Sequence, residues 1–271
     1  MKVTVLIDNV AGSGLAGEWG LSFYIEFKGK KYLLDAGSSG KFAENARRLG
    51  IDLGGVDCAV LSHAHFDHSR GMKAFFEANS KAPFVVSPAA RENCYSGVKF
   101  FKAYIGLPKG VLAKYVQRIS RPEGVAEIGE DVYIVPHSTA GLEAVAVRSH
   151  LYVRRGFMRF EPDDFSHEQS LVFRTGDGLV VFNSCSHSGA DVVVDEVRRA
   201  FPGEQVVAYL GGLHLFRLTD DEVQAVASKI EAAGIKLLYT GHCTGDRAFE
   251  ILRSRFGEGV QKIHSGMEIS L

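Results

Sequence analysis

A chain of 271 residues, 46% of them hydrophobic, has the material for one large domain or two half-size ones. With 31 Lys+Arg against 32 Asp+Glu and a net charge of −1, it offers no basic track for a nucleic acid and no cationic face for a membrane. No apolar run approaches the length that crosses a bilayer. The four cysteines, at 58, 94, 185 and 243, have no paired spacing, and Met1 to Asp8 reads as a strand rather than a signal peptide. Both point to a reduced, cytoplasmic protein.

Val3 to Ile7 is the first expected strand. Asn9 to Trp19 is a loop with glycines at 12, 14 and 17. No helix follows it, so it lacks the helix N-terminus that makes a phosphate-binding loop. Trp19, the only tryptophan, either lines a pocket or packs the loop. Leu21 to Phe27 and Lys31 to Asp35 form a hairpin around Gly29-Lys30. Asp35, in Asp-Ala-Gly, either orients a metal-binding histidine from behind or caps a turn. Phe42 to Leu49 is a helix ended by Gly50.

Cys58 to Leu61 is a short apolar run with the character of a buried strand, and Arg70 to Ala78 begins a helix. Between them lies His63-Ala-His65-Phe-Asp67-His68. His63 and His65 are two apart, so in extended backbone they point the same way and reach one cation. Asp67 and His68 follow the turn and can serve a second, adjacent cation. Imidazole with carboxylate suits zinc, manganese or iron, and the absence of nearby thiolates argues against a structural zinc–cysteine knot. The competing reading is a polar, His-rich surface loop. With 10 His in the whole chain, three in one six-residue window beside an Asp favour the metal.

Pro83 to Ser87 is a strand. From 88 to 122 the alternation weakens, and Phe100, Phe101, Tyr104 and Ile105 sit beside a Gly and a Pro, as in a lid that covers a cleft. Val132 to Val135 and Leu142 to Val147 read as strands. Arg154, Arg155 and Arg159 either hold a phosphate or carboxylate or form a solvated basic edge. After the hairpin of Ser170 to Arg174 and Leu179 to Asn183, one pattern occurs three times: strand, His-bearing loop, helix. The loops carry His187, His214 and His242, and Thr219 caps the second helix. Ligand sites in open α/β sheets lie beyond such strand ends.

The His-x-His-x-Asp-His run at a strand end resembles the metallo-β-lactamase superfamily. Ser-Cys-Ser-His, Gly-Gly-Leu-His-Leu and Gly-His-Cys-Thr-Gly, in that order after it, resemble one branch, related to the dihydropterin ribofuranosylaminobenzene-phosphate synthases. The resemblance implies an α/β fold, an αββα sandwich of two mixed sheets with outer helices, in a single domain over 1–271 with the lid at about 88–122. It implies one or two divalent metal ions, zinc first, with manganese or iron as alternatives. His63, His65 and His187 would hold one; Asp67, His68 and His242 would hold the other. The bridging Asp of the family is absent from both Phe182 to Ser188 and Gly211 to Leu215, which leaves the metal count open. Asp67 would orient the attacking water and His214 would protonate the leaving group. His167 is the weaker candidate for the mid-chain ligand. Cys185 and Cys243 flank the ligands, as nucleophiles or as small residues in tight turns. The expected function is a metal-dependent hydrolase or synthase acting on a phosphorylated or carboxylated small molecule. The alternatives are a non-catalytic metal sensor and a diiron redox member, whose usual flavin domain has no counterpart in these residues. A nuclease is disfavoured by the charge balance.

Overall fold

Val3, Val5, Leu6 and Ile7 are all inaccessible to solvent, because the first strand, Lys2–Ile7, lies inside a sheet rather than at its edge. In this computed structural model, which describes residues 1–98, 101–157 and 159–271, the chain divides into two units. The first comprises Met1–Glu123, Thr139–Glu168 and His264–Leu271; the second comprises Gly124–Ser138 and Gln169–Ile263. Each contains one large mixed sheet with helices.

In the first unit the sheet order is Glu268–Ser270, Lys2–Ile7, Ser22–Phe27, Lys30–Leu34, Cys58–Val60, Phe84–Val85, Ile119–Ser120. The first four strands are antiparallel and the last four are parallel, Lys30–Leu34 belonging to both sets. Phe42 and Ala46 of helix Lys41–Arg48, and Met72, Phe75 and Phe76 of helix Met72–Ala78, share one apolar cluster with Leu33, Ala59 and Phe84. The register Leu34↔Val60 sets the end of one strand beside the end of the next, and the His-rich motif begins there. A smaller sheet runs Phe160–Pro162, Leu151–Arg154, Cys94–Ser96, Ala103–Tyr104. Segment 88–122 thus contributes two strands to the small sheet and one to the edge of the large one. Phe100 of the expected lid lies outside the described residues.

One expected strand is a helix. Glu143–Ser149 is helical, with Glu143 in its first turn, Arg148 in its last, and His150 closing it at φ +58°. Only Ala146 of this stretch is buried. The valines at 145 and 147 mimic strand alternation, but the terminal charges suit a helix dipole.

In the second unit the order is Val260–Lys262, Leu237–Thr240, Val206–Leu210, Gly178–Phe182, Gln169–Thr175, Val132–Pro136, Ala126–Gly129. The first four are parallel to one another and the rest are antiparallel. Helices Ala190–Ala200, Asp220–Ala232 and Asp246–Phe256 make the crossovers. Val193, Val197, Val223, Ile230 and Leu252 join Val181, Tyr209 and Leu238 in a single core. Thr219 and Glu222 form a reciprocal capping box at the second helix, as Thr219 in the sequence implies. Among the described residues, no helix is long and apolar enough to cross a membrane.

Candidate metal-binding clusters

In the first unit, the apolar strand Cys58–Val60 ends and the chain turns through Ser62 to Ala64 into the short helix Phe66–Ser69, which carries Asp67 and His68. The His63 ring centroid lies 4.7 Å from that of His65 and 4.2 Å from that of His68, and all three rings are buried. Asp35, at φ +60° and inaccessible to solvent, holds this arrangement from the end of the neighbouring strand. Its Oδ1 accepts from the Ser62 N–H at 2.7 Å, and its Oδ2 accepts from the Ser62 hydroxyl at 2.6 Å. Oδ2 also lies 2.7 Å from His68 Nδ1, and Ser62 Oγ lies 2.8 Å from His63 Nδ1. The only consistent proton placement puts N–H at Nδ1 of both rings, donating to Asp35 and to Ser62. Each ring then carries its lone pair on Nε2, and this is how carboxylate and hydroxyl partners orient metal-binding histidines. Burial, aided by His167, drives the His65 imidazole down to about 3, so it is a neutral donor at ordinary pH. The residues present therefore fit a divalent ion. Asp35 does both things read from the sequence: Oδ2 orients His68, and Oδ1 accepts the N–H that opens the Ser62–Ala64 turn.

Trp19 reaches this cluster from the glycine loop. Its indole Nε1–H donates to Asp67 Oδ2 at 2.8 Å, and Asp67 Oδ2 lies 3.9 Å from His68 Nε2. Trp19, read from the sequence as lining a pocket or packing its loop, fixes a carboxylate of the motif.

His167 also lies in this unit, with ring centroids 5.3 Å from His65 and 6.2 Å from His63. His65, Cys94, Asp163 and His167 form a buried group of donors within 4.8 Å of one another. Two influences compete at the His167 ring. Burial disfavours its charge, but Asp163 and Cys94 outweigh burial and pull its pKa well above the usual range. Against this, Nδ1 accepts the Ala64 N–H at 3.2 Å and so needs its lone pair. A proton on Nε2, donated to Asp163 Oδ2 at 3.0 Å, satisfies both neighbours, and we place it there. Cys94 and Asp163 carry no local sequence signal; antiparallel pairing of Val153 with Cys94 brings them to His65. The arginines are a solvated edge: Arg155 pairs with Glu161 and Asp164, and Arg159 with Glu161.

In the second unit, His187, His214 and His242 follow the carboxyl ends of three adjacent parallel strands, Gly178–Phe182, Val206–Leu210 and Leu237–Thr240. Each turn contains a non-glycine residue in the left-handed region: Ser186 at φ +50°, His214 at +51° and His242 at +48°. Such strain persists only where the surroundings impose it. Here Ser186 N donates to Asn183 Oδ1 at 2.8 Å, while Ser186 Oγ donates to Gly212 O at 2.7 Å and meets the Tyr209 hydroxyl at 2.5 Å. The His187 and His214 rings lie 4.2 Å apart. Between the turns, the buried Cys185 and Cys243 sulfurs are 3.4 Å apart. Burial opposes ionisation of Cys243, but its hydrogen-bonded contacts with Cys185 and His214 and the nearby His242 hold its thiol well below the usual range.

Residues 20–199 match the model of the metallo-β-lactamase superfamily. The chain belongs to that superfamily. It is 26% identical, over 98% of its own length and 95% of the relative's, to a 7,8-dihydropterin-6-methyl-4-(β-D-ribofuranosyl)-aminobenzene-5′-phosphate synthase of Methanocaldococcus jannaschii. Among solved structures it resembles a metal-dependent hydrolase of the β-lactamase superfamily, with TM-score 0.85, 28% identity, and 100% and 99% of the two chains covered. A diphosphatase of the PhnP family shares the fold at TM-score 0.55 and 16% identity, covering 100% and 97%. The two large mixed sheets match the fold expected from the sequence. Members of this superfamily usually bind divalent metals, and the His, Cys and Asp clusters of this chain could hold them.

Proposed function

We propose that this member is a metal-dependent hydrolase of a phosphorylated or carboxylated small molecule. The observation that carries the reading is the anchoring of His63 and His68 through Nδ1 by Ser62 and Asp35, which leaves both rings as lone-pair donors. The order of the motifs supports two ligand sets, His63, His65 and His187 for one ion, and Asp67, His68 and His242 for the other. Zinc suits the imidazole-rich donors, with manganese or iron as alternatives. When bound, such an ion supplies Lewis acidity and a water activated near neutral pH. Asp67, held by the Trp19 indole, accepts a proton from the attacking water. His214 delivers a proton to the leaving group; its Nδ1 is buried with no hydrogen-bond partner among the described residues. Four cysteines outside any disulfide favour a reducing compartment, and we assign the protein to the cytoplasm.

Elemental analysis of protein purified without added metal, followed by screening of phosphoesters, lactones and cyclic nucleotides, tests the reading. About two equivalents of metal per chain are expected, with hydrolysis of one substrate class. His63→Ala and His187→Ala should each strip the same equivalent. Protein that neither carries nor is stabilised by metal defeats the reading. Full metal in His187→Ala together with its loss in His167→Ala moves the mid-chain ligand to His167. The similarity to a synthase over nearly the whole chain favours, as a second reading, a bond-forming reaction between two substrates. Turnover that requires both would establish it.

A further inference from the structure

Of the donors in the second unit, the sulfurs have no part in the reading above. Cys185 follows the Gly178–Phe182 strand and Cys243 follows the Leu237–Thr240 strand, yet their Sγ atoms are 3.4 Å apart. A disulfide needs about 2.0 Å. Two thiolates on one tetrahedral zinc, each about 2.3 Å from it, stand about 3.8 Å apart. The observed separation is much nearer the second value. Cys185, Cys243 and His214 lie within 4.8 Å of one another through their donor atoms.

We propose that Cys185, Cys243 and His214 form a thiolate–imidazole site for a thiophilic divalent ion such as Zn²⁺. Three further observations, all within this unit, support it. The His214 backbone N–H donates to Cys243 Sγ at 3.3 Å, the kind of outer contact that stabilises sulfur carrying negative charge. Gly212 leaves room for that sulfur: a Cβ there would stand 2.5 Å from Cys243 Sγ. Each of the three donor-bearing turns holds a non-glycine residue in left-handed conformation, at 186, 214 and 242. Strain repeated at three converging turns marks a geometry selected for something other than packing. Small residues in tight turns would account for the cysteines, but not for an imidazole nitrogen set beside both sulfurs. Ligation through one ring nitrogen of His214 leaves the other to carry the proton invoked above. The site uses no residue of the His63–His68 motif and shares only His214 with the hydrolase reading, so its sulfur ligands are tested separately from that reading.

The test uses the full chain loaded with Zn²⁺ or Co²⁺. X-ray absorption at the zinc edge of the wild-type protein should show sulfur scatterers at about 2.3 Å. The cobalt form should show a near-ultraviolet sulfur-to-metal charge-transfer band. The loaded chain should hold about one equivalent beyond the two of the hydrolase reading, and Cys185→Ser and Cys243→Ser should each abolish the band and remove that further equivalent, with the circular dichroism of the fold retained. A zinc first shell of nitrogen and oxygen alone overturns the proposal, and so does a disulfide between the two residues in reduced preparations. The wild-type spectrum decides even if both variants fail to fold. Sulfur scattering without hydrolysis would sustain this site and count against the hydrolase; hydrolysis with no sulfur ligand would do the reverse.

Discussion

Asp35 Oδ2 sits 2.7 Å from His68 Nδ1, and neither side chain is accessible to solvent. The carboxylate belongs to one strand end and the imidazole to the turn after its neighbour, so a residue outside the His-rich motif fixes which nitrogen of His68 can ligate. Asp35→Ala removes that control and leaves the Ser62 hydroxyl and N–H without their acceptor. Metal affinity should fall by about 10–100-fold, measured by competition with a chromophoric chelator. Unchanged affinity would mean that His68 is not a ligand.

Trp19 is nearly half exposed, at 44%, yet its indole N–H donates to Asp67. Trp19→Phe keeps an aromatic ring and loses only the donor. A hydrogen bond to a charged acceptor contributes about 1.5–3 kcal/mol, so kcat/KM or metal affinity should drop roughly tenfold or more. Thermal stability should shift little. A large fall in Tm with intact metal binding would assign Trp19 to packing alone.

His167 and Asp163 form a buried pair that also holds the Ala64 N–H between two candidate ligands. Removing His167 leaves the buried Asp163 carboxylate without this donor, and removing Asp163 leaves the Nε2–H without its acceptor, at a cost of about 1–3 kcal/mol each. His167→Ala and Asp163→Ala should therefore each lower urea stability by about that amount, and the double variant should cost far less than their sum. Strict additivity would show that the two residues do not act as a unit.

The Tyr209 hydroxyl contacts Ser186 Oγ within the strained turn before His187. Tyr209→Phe should cost about 1 kcal/mol without changing the dependence on denaturant. If His187 is a ligand, metal release by a chelator should also be faster. A faster release without loss of stability would separate the turn's geometry from the core beneath it.

The strand–histidine–helix order was readable in the sequence because each apolar run ends in Gly, Ser or Thr before its histidine, and each following helix carries its own caps or charges. The Leu142 to Val147 stretch was misread because six residues with alternating valines satisfy the strand period, while the charges that make it a helix lie at its ends. Around the motif, His63, His65, Asp67 and His68 were visible because they are neighbours in the chain. Asp35 was a candidate orienting residue in the sequence, but which histidine it meets, and the part of Ser62, needed the register Leu34↔Val60, which no local pattern encodes. Cys94 and Asp163 needed a second sheet to reach His65, and the contact between Cys185 and Cys243 depends on two strands separated by a third. Long-range pairing, rather than residue type, set the limit of what could be read.

The three histidines of the second unit are spaced by the backbone ladder itself. Adjacent strands lie about 4.8 Å apart, so each turn delivers its imidazole at the pitch of the sheet. Loops elsewhere in the chain can lengthen, shorten or change composition without moving that comb of donors. Descendants of such a chain can therefore diversify in their loops while inheriting one unaltered set of histidine positions.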